Sequence, residues 1–324
     1  MKRELRRYRT VGVAALAAIA LPRVMGAEYQ LHLAAIVGIN TIVVLGLNLL
    51  MGYAGQVSLG QAAFVGIGAY ATAILTVKVG LSPWLGLVAA VGLGALTAAV
   101  VGVPLLKLRG HYLAMGTLGL GMIVHIVLVQ WERLTDGTVG IMSIPPLSAA
   151  GVALDSARSM YYLVALCVLA AVALTSNVID SRVGRAMRAV HGSEVAAETS
   201  GVDTARYKLQ VFVLSGALAG LAGSLYAYHA TYVHPDTFGF GYSIQLVVMA
   251  VLGGMASIWG AIIGASAVTI IAEELRQYQE YSTVLFGAVL MAVMIFMPGG
   301  IWRGAGDLLR RLGRLRPGRA RAGV

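Results

Sequence analysis

Charge is the first thing this sequence is short of. Only 12% of its 324 residues are Asp, Glu, Lys or Arg, against roughly 25% in a soluble globular domain. The deficit excludes a water-facing surface over most of the chain. Cysteine is scarcer still. Cys167 stands alone, so an intrachain disulfide and a multi-cysteine metal site are both excluded, and its place inside an apolar run reads as packing. A Gly-Lys step is missing altogether: Lys2, Lys78, Lys107 and Lys208 follow Met, Val, Leu and Tyr. A P-loop needs that step to hold phosphates, so ATP binding of that kind is excluded and no cofactor is expected.

Reactive clusters are lacking too. An enzyme should offer a paired acid and base, a nucleophile or a metal cluster. Here His32 and His125 stand singly in apolar runs and read as packing residues, and Glu273 and Glu274 fall at the end of a span, where a solvated boundary explains them. No catalytic residue is expected. The apolar runs themselves are nearly free of ionisable groups, whereas ion-coupled carriers need buried Asp, Glu or His. Energy for any transport must then come from another subunit.

What is present in excess is apolar and small: 58% hydrophobic residues and 41 glycines. Runs of roughly 17–25 apolar residues match a hydrocarbon core about 30 Å thick. They fall at 11–27, 29–51, 57–77, 83–106, 112–131, 160–179, 209–231 and 282–298, with a longer stretch at 244–274. The expected fold class is therefore all-α, a polytopic helical membrane protein. The first run reads as a retained helix rather than a cleaved signal, because cleavage would place the new N-terminus outside.

The bases set the orientation. Of the 24 Lys and Arg, 19 lie in four clusters between or beyond the runs: Lys2–Arg9, Lys107 with Arg109, Arg182–Lys208, and Arg303–Arg321. The positive-inside rule makes these clusters cytoplasmic, which gives a basic N-terminus (1–10), a membrane domain (11–300) with a cytoplasmic loop (180–208), and a basic tail (301–324). Both termini are then cytoplasmic, and 132–159 and 232–243 lie outside. The clusters lack interleaved aromatics, so nucleic acid is not an expected partner. Parity requires 244–274 to be two short passes or a re-entrant pair, and "VLGGMASIWGAIIG" marks the break at Gly253, Gly254 and Ser257. That makes about ten membrane segments. The GxxxG pairs Gly216/Gly220 and Gly260/Gly264 read as helix contacts.

One charged stretch interrupts the apolar pattern, "SRVGRAMRAVHGSEVAAETSG" from Ser181 to Gly201. Ser193 is a good N-cap, Glu194 sits against the positive end of the helix dipole, and Gly201 can supply a left-handed C-terminal cap. The spacing predicts a helix of about two turns. Isolated helices so short are marginal in water, so its stability must come from packing, and its small Val195/Ala196 face suits a groove on another protein.

"SEVAAETSG" resembles the Glu-Ala-Ala…Gly loop by which the permeases of ABC importers dock onto their ATPases, introduced here by Arg185 and Arg188. The likeness extends through "LGLNLLMGYAGQVSLGQAAFVGIGAYATAIL" (45–75), "LRGHYLAMGTLGLG" (108–121), "TDGTVGI" (135–141), "GRAMRAVHGSEVAAETSGVDTARYKLQVFVLSGALAGLAGSLYA" (184–227) and "VMAVLGGMASIWGAIIGA" (248–265). This ordered set resembles the branched-chain amino acid ABC transporter permease family, LivM type, over residues 40–300. The Ile-x-Leu-Pro that often follows the loop in ABC importers is absent, with "VFVL" near its place.

The resemblance implies an inner-membrane permease subunit paired with a second, related permease, two ATP-binding subunits that hold the ATP, and a periplasmic binding protein. It implies an ATPase-coupling role for Arg185, Arg188, Glu194, Ala196, Ala197 and Gly201. Branched-chain amino acids are the expected cargo, with urea or short amides as an alternative, and an ion-coupled carrier or a channel as the rival class. "GYAGQVSLGQ" (52–61) places Gln56, Ser58 and Gln61 among three glycines. Two readings of it stay open: a stretch lining the translocation path, or a plain turn with Ser58 capping the next helix.

Overall fold

A computed structural model describes residues 27–149 and 152–275, with isolated positions at 12, 22, 277, 284, 287, 288, 291, 295 and 300–302. The expected spans 11–27 and 282–298, both termini and the basic tail lie outside the described residues. Within them the chain is helical throughout its apolar runs: α1 (Glu28–Asn48), α2 (Gln61–Ala73), α3 (Pro83–Leu105), α4 (His111–Gln130), α5 (Ala157–Asp180), α6 (Arg182–Gly192), α7 (Glu194–Thr199), α8 (Thr204–Ala230), α9 (Phe240–Gly253) and α10 (Ile258–Leu275). One π-turn extends α1 through Tyr53 and another extends α2 through Lys78. Eight of the described helical segments are long and apolar enough to cross a membrane. The strands among the described residues are two-residue pairs.

The helix α8 is the hub, packing against α1, α2 and α3. Small residues let the backbones meet. A Cβ on Gly220 would lie 2.4 Å from the Ala90 carbonyl oxygen, and one on Gly223 would lie 2.0 Å from that of Val65. With no hydrophobic force between helices in lipid, close van der Waals approach of this kind drives association, so Gly216 and Gly220 act as the helix contacts the sequence indicates. Gly260 and Gly264 do the same in the α9–α10 hairpin, against Gly253 and the Met249 carbonyl.

That hairpin breaks where the glycines predict it. Helix α9 ends at Gly253, Gly254 (φ +113°) and Ala256 (φ +58°) turn the chain, and α10 begins at Ile258. The turn is clamped by α1. Asn48 accepts from the Ala256 amide (2.7 Å) and donates to the Ser257 carbonyl (2.8 Å), while Tyr53 donates to the Ala256 carbonyl (2.8 Å). The 3-10 turn Pro235–Phe238 leads into the 14 residues of α9, and together they make the 19-residue segment counted among the eight, about 28 Å at 1.5 Å per residue.

The two ends of the bundle differ. At one, β1 (Ile141–Met142) pairs antiparallel with β4 (Tyr232–Val233), tying 132–159 to 232–243. Lys78 reaches Asp136 (2.7 Å), and Trp84 donates to the Ser148 carbonyl (2.7 Å). Asp136, Gly137 and Gly140 have positive φ, the turn chemistry that "TDGTVGI" announces. β2 (Ser148–Ala149) and β3 (Val152–Ala153) form a second small pair at this strand end. The opposite, basic end carries Arg109 and the charged loop.

Two histidines are not solitary as their sequence surroundings suggested. The His32 ring lies 5.1 Å from that of His229, and His125 Nε2 faces Asp236 at 3.6 Å. Each partner comes from a distant segment, so neither pairing shows as a local motif.

Candidate functional site

The charged loop is built from two helices. Ser181 caps the first, its Oγ accepting from the amides of Val183 (3.1 Å) and Gly184 (3.4 Å). Helix α6 buries Gly184, Met187 and Val190 on one face and exposes its arginines on the other. Arg185 and Arg188 extend back to the Asp180 and Ile179 carbonyls (3.4 and 3.3 Å), satisfying acceptors that a helix C-terminus leaves open. Gly184 is needed at the crossing, because a Cβ there would come within 2.1 Å of the Ile179 oxygen. The sequence pattern suggests these arginines as a lead-in to one short helix, whereas they stand on a helix of their own. The Ser181 cap and the three-residue spacing of Gly184, Met187 and Val190 are its signal in the sequence.

Helix α7 then follows as predicted from its caps. The Ser193 side chain accepts from the Ala196 amide (3.3 Å), and Gly201 adopts φ +80° after six helical residues. That is somewhat shorter than the two turns expected. Its packing is supplied by this chain itself. Ala197 is buried, Thr204 donates to Glu198 (2.8 Å), and Glu194 makes a close ion pair with Lys208 and a looser one with Arg109 (3.6 Å). Lys208 is 3% exposed and belongs to the first turns of α8. Neither Lys208 nor Arg109 was singled out from sequence, although a lysine at the mouth of an apolar span calls for a carboxylate. Val195 is 62% exposed, with Ala196, Thr199 and Ser200 exposed beside it. So the Val195/Ala196 face is free among the described residues, while Ala197 and Glu194 face the bundle.

The second predicted stretch is an irregular segment that runs inward from the basic end. Gly46 of α1 packs against Ser215 of α8, and the Gln61 amide donates to the Ser215 hydroxyl (2.8 Å) and carbonyl (3.1 Å). Gly46 and Gln61 therefore stand at one level. Between them the chain descends to Gly55, beside His191 of the charged loop, and returns without helical structure over 55–60. The seven helical residues from Gly46 to Tyr53 make that descent about 10 Å. Gln61 is buried with its Oε1 unpartnered among the described residues, and Ser58 Oγ is likewise buried and unpartnered. Gln56 is half-buried and bonds within its own turn, to the Ala54 carbonyl (3.2 Å). Ser58 does not cap α2, whose N-cap is Gly60 with no side-chain bond.

Beside this break lies a cavity of about 280 Å³, bounded by α4, Leu59 and the 236–243 segment. Helix α4 is held to the break by Thr117, whose hydroxyl accepts from the Leu59 amide (3.0 Å), and by the close approach of Gly60 to the Thr117 carbonyl. Gln56, Ser58 and Gln61 do not line the cavity; Leu59 does.

A multi-pass helical bundle with an irregular segment between its first two described spans and a capped surface helix tied to its central span has the architecture of a transport permease. The chain belongs to the family described as "Branched-chain amino acid transport system / permease component", whose profile matches residues 29–298. It is 33% identical over 288 residues to the high-affinity branched-chain amino acid transport system permease protein LivM of Salmonella typhimurium, covering 81% of this chain and 67% of the relative. The Escherichia coli LivM protein is 32% identical over 286 residues, with the same coverage. The E. coli permease protein LivH is 38% identical over 136 residues, 41% of this chain and 44% of LivH. No solved structure matches the chain.

Proposed function

We propose that this chain is the permease subunit of an ABC importer that carries branched-chain amino acids inward across a bacterial inner membrane. A second, related permease completes the path, two separate ATP-binding subunits supply the energy, and a periplasmic binding protein delivers the cargo. The observation that carries this reading is α7: it presents Val195 and Ala196 outward and fastens to α8 inward through Glu194 and Lys208. A surface helix so fastened passes a push from an ATPase to the helix at the centre of the bundle. The basic end is then cytoplasmic, as the charge asymmetry requires.

In this reading Arg185, Arg188, Glu194, Ala196, Ala197 and Gly201 form the coupling element in two roles. Ala196 and the arginines meet the ATPase, whereas Glu194, Ala197 and Gly201 fix the helix to the permease. Ser58 and Gln61 belong to the path's flexible wall. Buried polar atoms without partners are rare, and a second arrangement of the 55–60 segment that gives Ser58 and Gln61 water or cargo accounts for them.

The test is uptake of labelled leucine by proteoliposomes holding the whole complex. ATP-dependent uptake that requires the binding protein, and that unlabelled isoleucine but not urea suppresses, is the expected result. Uptake driven by a proton or sodium gradient without ATP would overturn the reading.

A further inference from the structure

We infer that the cavity between α4 and the 236–243 segment is a transit site for a free amino acid, with Asp236 and His125 taking its charged ends. The inference rests on the import function proposed above. The cavity, at about 280 Å³, falls just below the roughly 300 Å³ at which drug-sized pockets begin, which suits a ligand of under ten heavy atoms. Most of its wall is apolar: Leu59, Leu118, Met122, Ile126, Phe238 and Phe240. Gly121 leaves the room, since a Cβ there would meet Gly60 Cα only at 3.8 Å.

The polar groups gather at the strand end. The Asp236 carboxylate stands 3.6 Å from His125 Nε2 and 3.7 Å from His234 Nδ1. Both separations exceed a hydrogen bond, for which about 3.2 Å is the usual limit. His234 is already engaged with the Thr138 carbonyl (2.9 Å), whereas His125 Nε2 has only its long approach to Asp236 among the described residues. Asp236 and His125 are thus a loosely joined acceptor and donor at the mouth of an apolar chamber. A zwitterion separates them to advantage. Its ammonium donates to Asp236, its carboxylate accepts from the His125 ring N–H, and its aliphatic side chain points into the chamber. The first turn of α9 lines the same cavity through Phe240 and has no side-chain cap, adding amide donors on the carboxylate side. A neutral amide or urea would leave the chamber's apolar wall unused and Asp236 without a cation.

The experiment uses the whole complex in proteoliposomes with leucine-loaded binding protein at saturation, which holds capture constant. Asp236→Asn should lower leucine delivered per ATP hydrolysed at least tenfold. An unchanged ratio, or a parallel fall of hydrolysis and uptake, would overturn the inference. In a second arm, Met122→Cys in a Cys167→Ala background is labelled with a bulky methanethiosulfonate reagent. Met122 is exposed to the chamber, so the variant folds, and complete labelling should cut uptake below a tenth of the unlabelled value. Full labelling with intact uptake would overturn the inference. A wild-type complex that moves no labelled leucine would instead overturn the functional reading itself.

Discussion

Glu194→Gln removes the carboxylate that pairs with Lys208, the most enclosed charge among the described residues of the basic end. Lys208 is 3% exposed, whereas Glu194 is 21% exposed and has Arg109 as a second, looser partner. Deleting one member of a buried ion pair costs about 3–5 kcal/mol, because the other charge stays buried without compensation. The lower end of that range applies here, since the long lysine stem can shift its ammonium toward water. About 3 kcal/mol is roughly a hundredfold in equilibrium. The reverse change, Lys208→Met, leaves Glu194 near the surface beside Arg109 and should cost about 1 kcal/mol, the scale of an exposed pair. The double variant leaves neither charge stranded, and replacing such a pair by apolar groups is commonly neutral. The expected order of thermal stability for the detergent-solubilised complex is therefore wild type, then the double variant and Lys208→Met close behind, then Glu194→Gln well below. Uptake follows a different order, with the double variant remaining deficient because α7 has lost its fastening to α8. Equal stability of Glu194→Gln and wild type would refute the pairing argument. Full uptake in the double variant would refute the mechanical one.

Gly201→Val forces a β-branched residue to φ +80° with open space around it; backbone strain of about 1–2 kcal/mol should loosen α7 and lower ATP-coupled uptake while membrane content stays near normal. Asn48→Leu strands the Ala256 amide and the Ser257 carbonyl, at about 1–3 kcal/mol for each buried group left unpaired, and should reduce the yield of folded complex in a fluorescence size-exclusion assay. Ser58→Ala removes a hydroxyl that is buried without a partner among the described residues, so yield should hold or rise; the proposed path role predicts an altered transport KM at that normal yield, and unchanged kinetics would remove Ser58 from the path. In a Cys167→Ala background, Val139→Cys should react with an impermeant thiol reagent on whole spheroplasts and Val195→Cys only after permeabilisation; the opposite pattern would invert the topology.

Periodic and charge signals gave up their information readily. The described spans overlap the apolar runs because lipid imposes one requirement on every residue of a run, although one begins at Pro235, inside the stretch 232–243 expected as an outer loop, and the α9–α10 break was visible because Gly253 and Gly254 fall where a helix is weakest. The caps of α7 were legible for a related reason: Ser193 and Gly201 act within a few residues of themselves. What escaped was everything made by distant partners. Lys208 meets Glu194 across a turn, His125 meets Asp236 across two spans, and Asn48 meets Ser257 across most of the chain. A single sequence carries no sign of which polar residue will face which. The late start of α2, at Gln61 rather than residue 57, was hidden for another reason: "VSLG" is as apolar as a helix end, and only the hydrogen bond from Leu59 to Thr117 shows that its backbone finds a partner elsewhere.

These distant contacts share one helix. Lys208 and Ser215 are both on α8, seven residues apart, which is close to two full turns and about 10 Å along the axis; they therefore lie on nearly the same face. Lys208 is held by Glu194 of the surface helix, and Ser215 is held by Gln61, the first residue after the irregular segment. A helix resists compression along its axis, because every backbone hydrogen bond would have to shorten at once. In the proposed coupling, a displacement of α7 is therefore delivered along α8 to Gln61. The receiving element in that proposal is residues 55–60, which have no helical ladder to resist it. The glycine contacts at Gly220 and Gly223 bring α8 backbone to backbone against α3 and α2, so that α8 is braced along its length. Rigidity in α8 and irregularity beside Gln61 are thus complementary requirements: the first carries a movement that only the second can absorb.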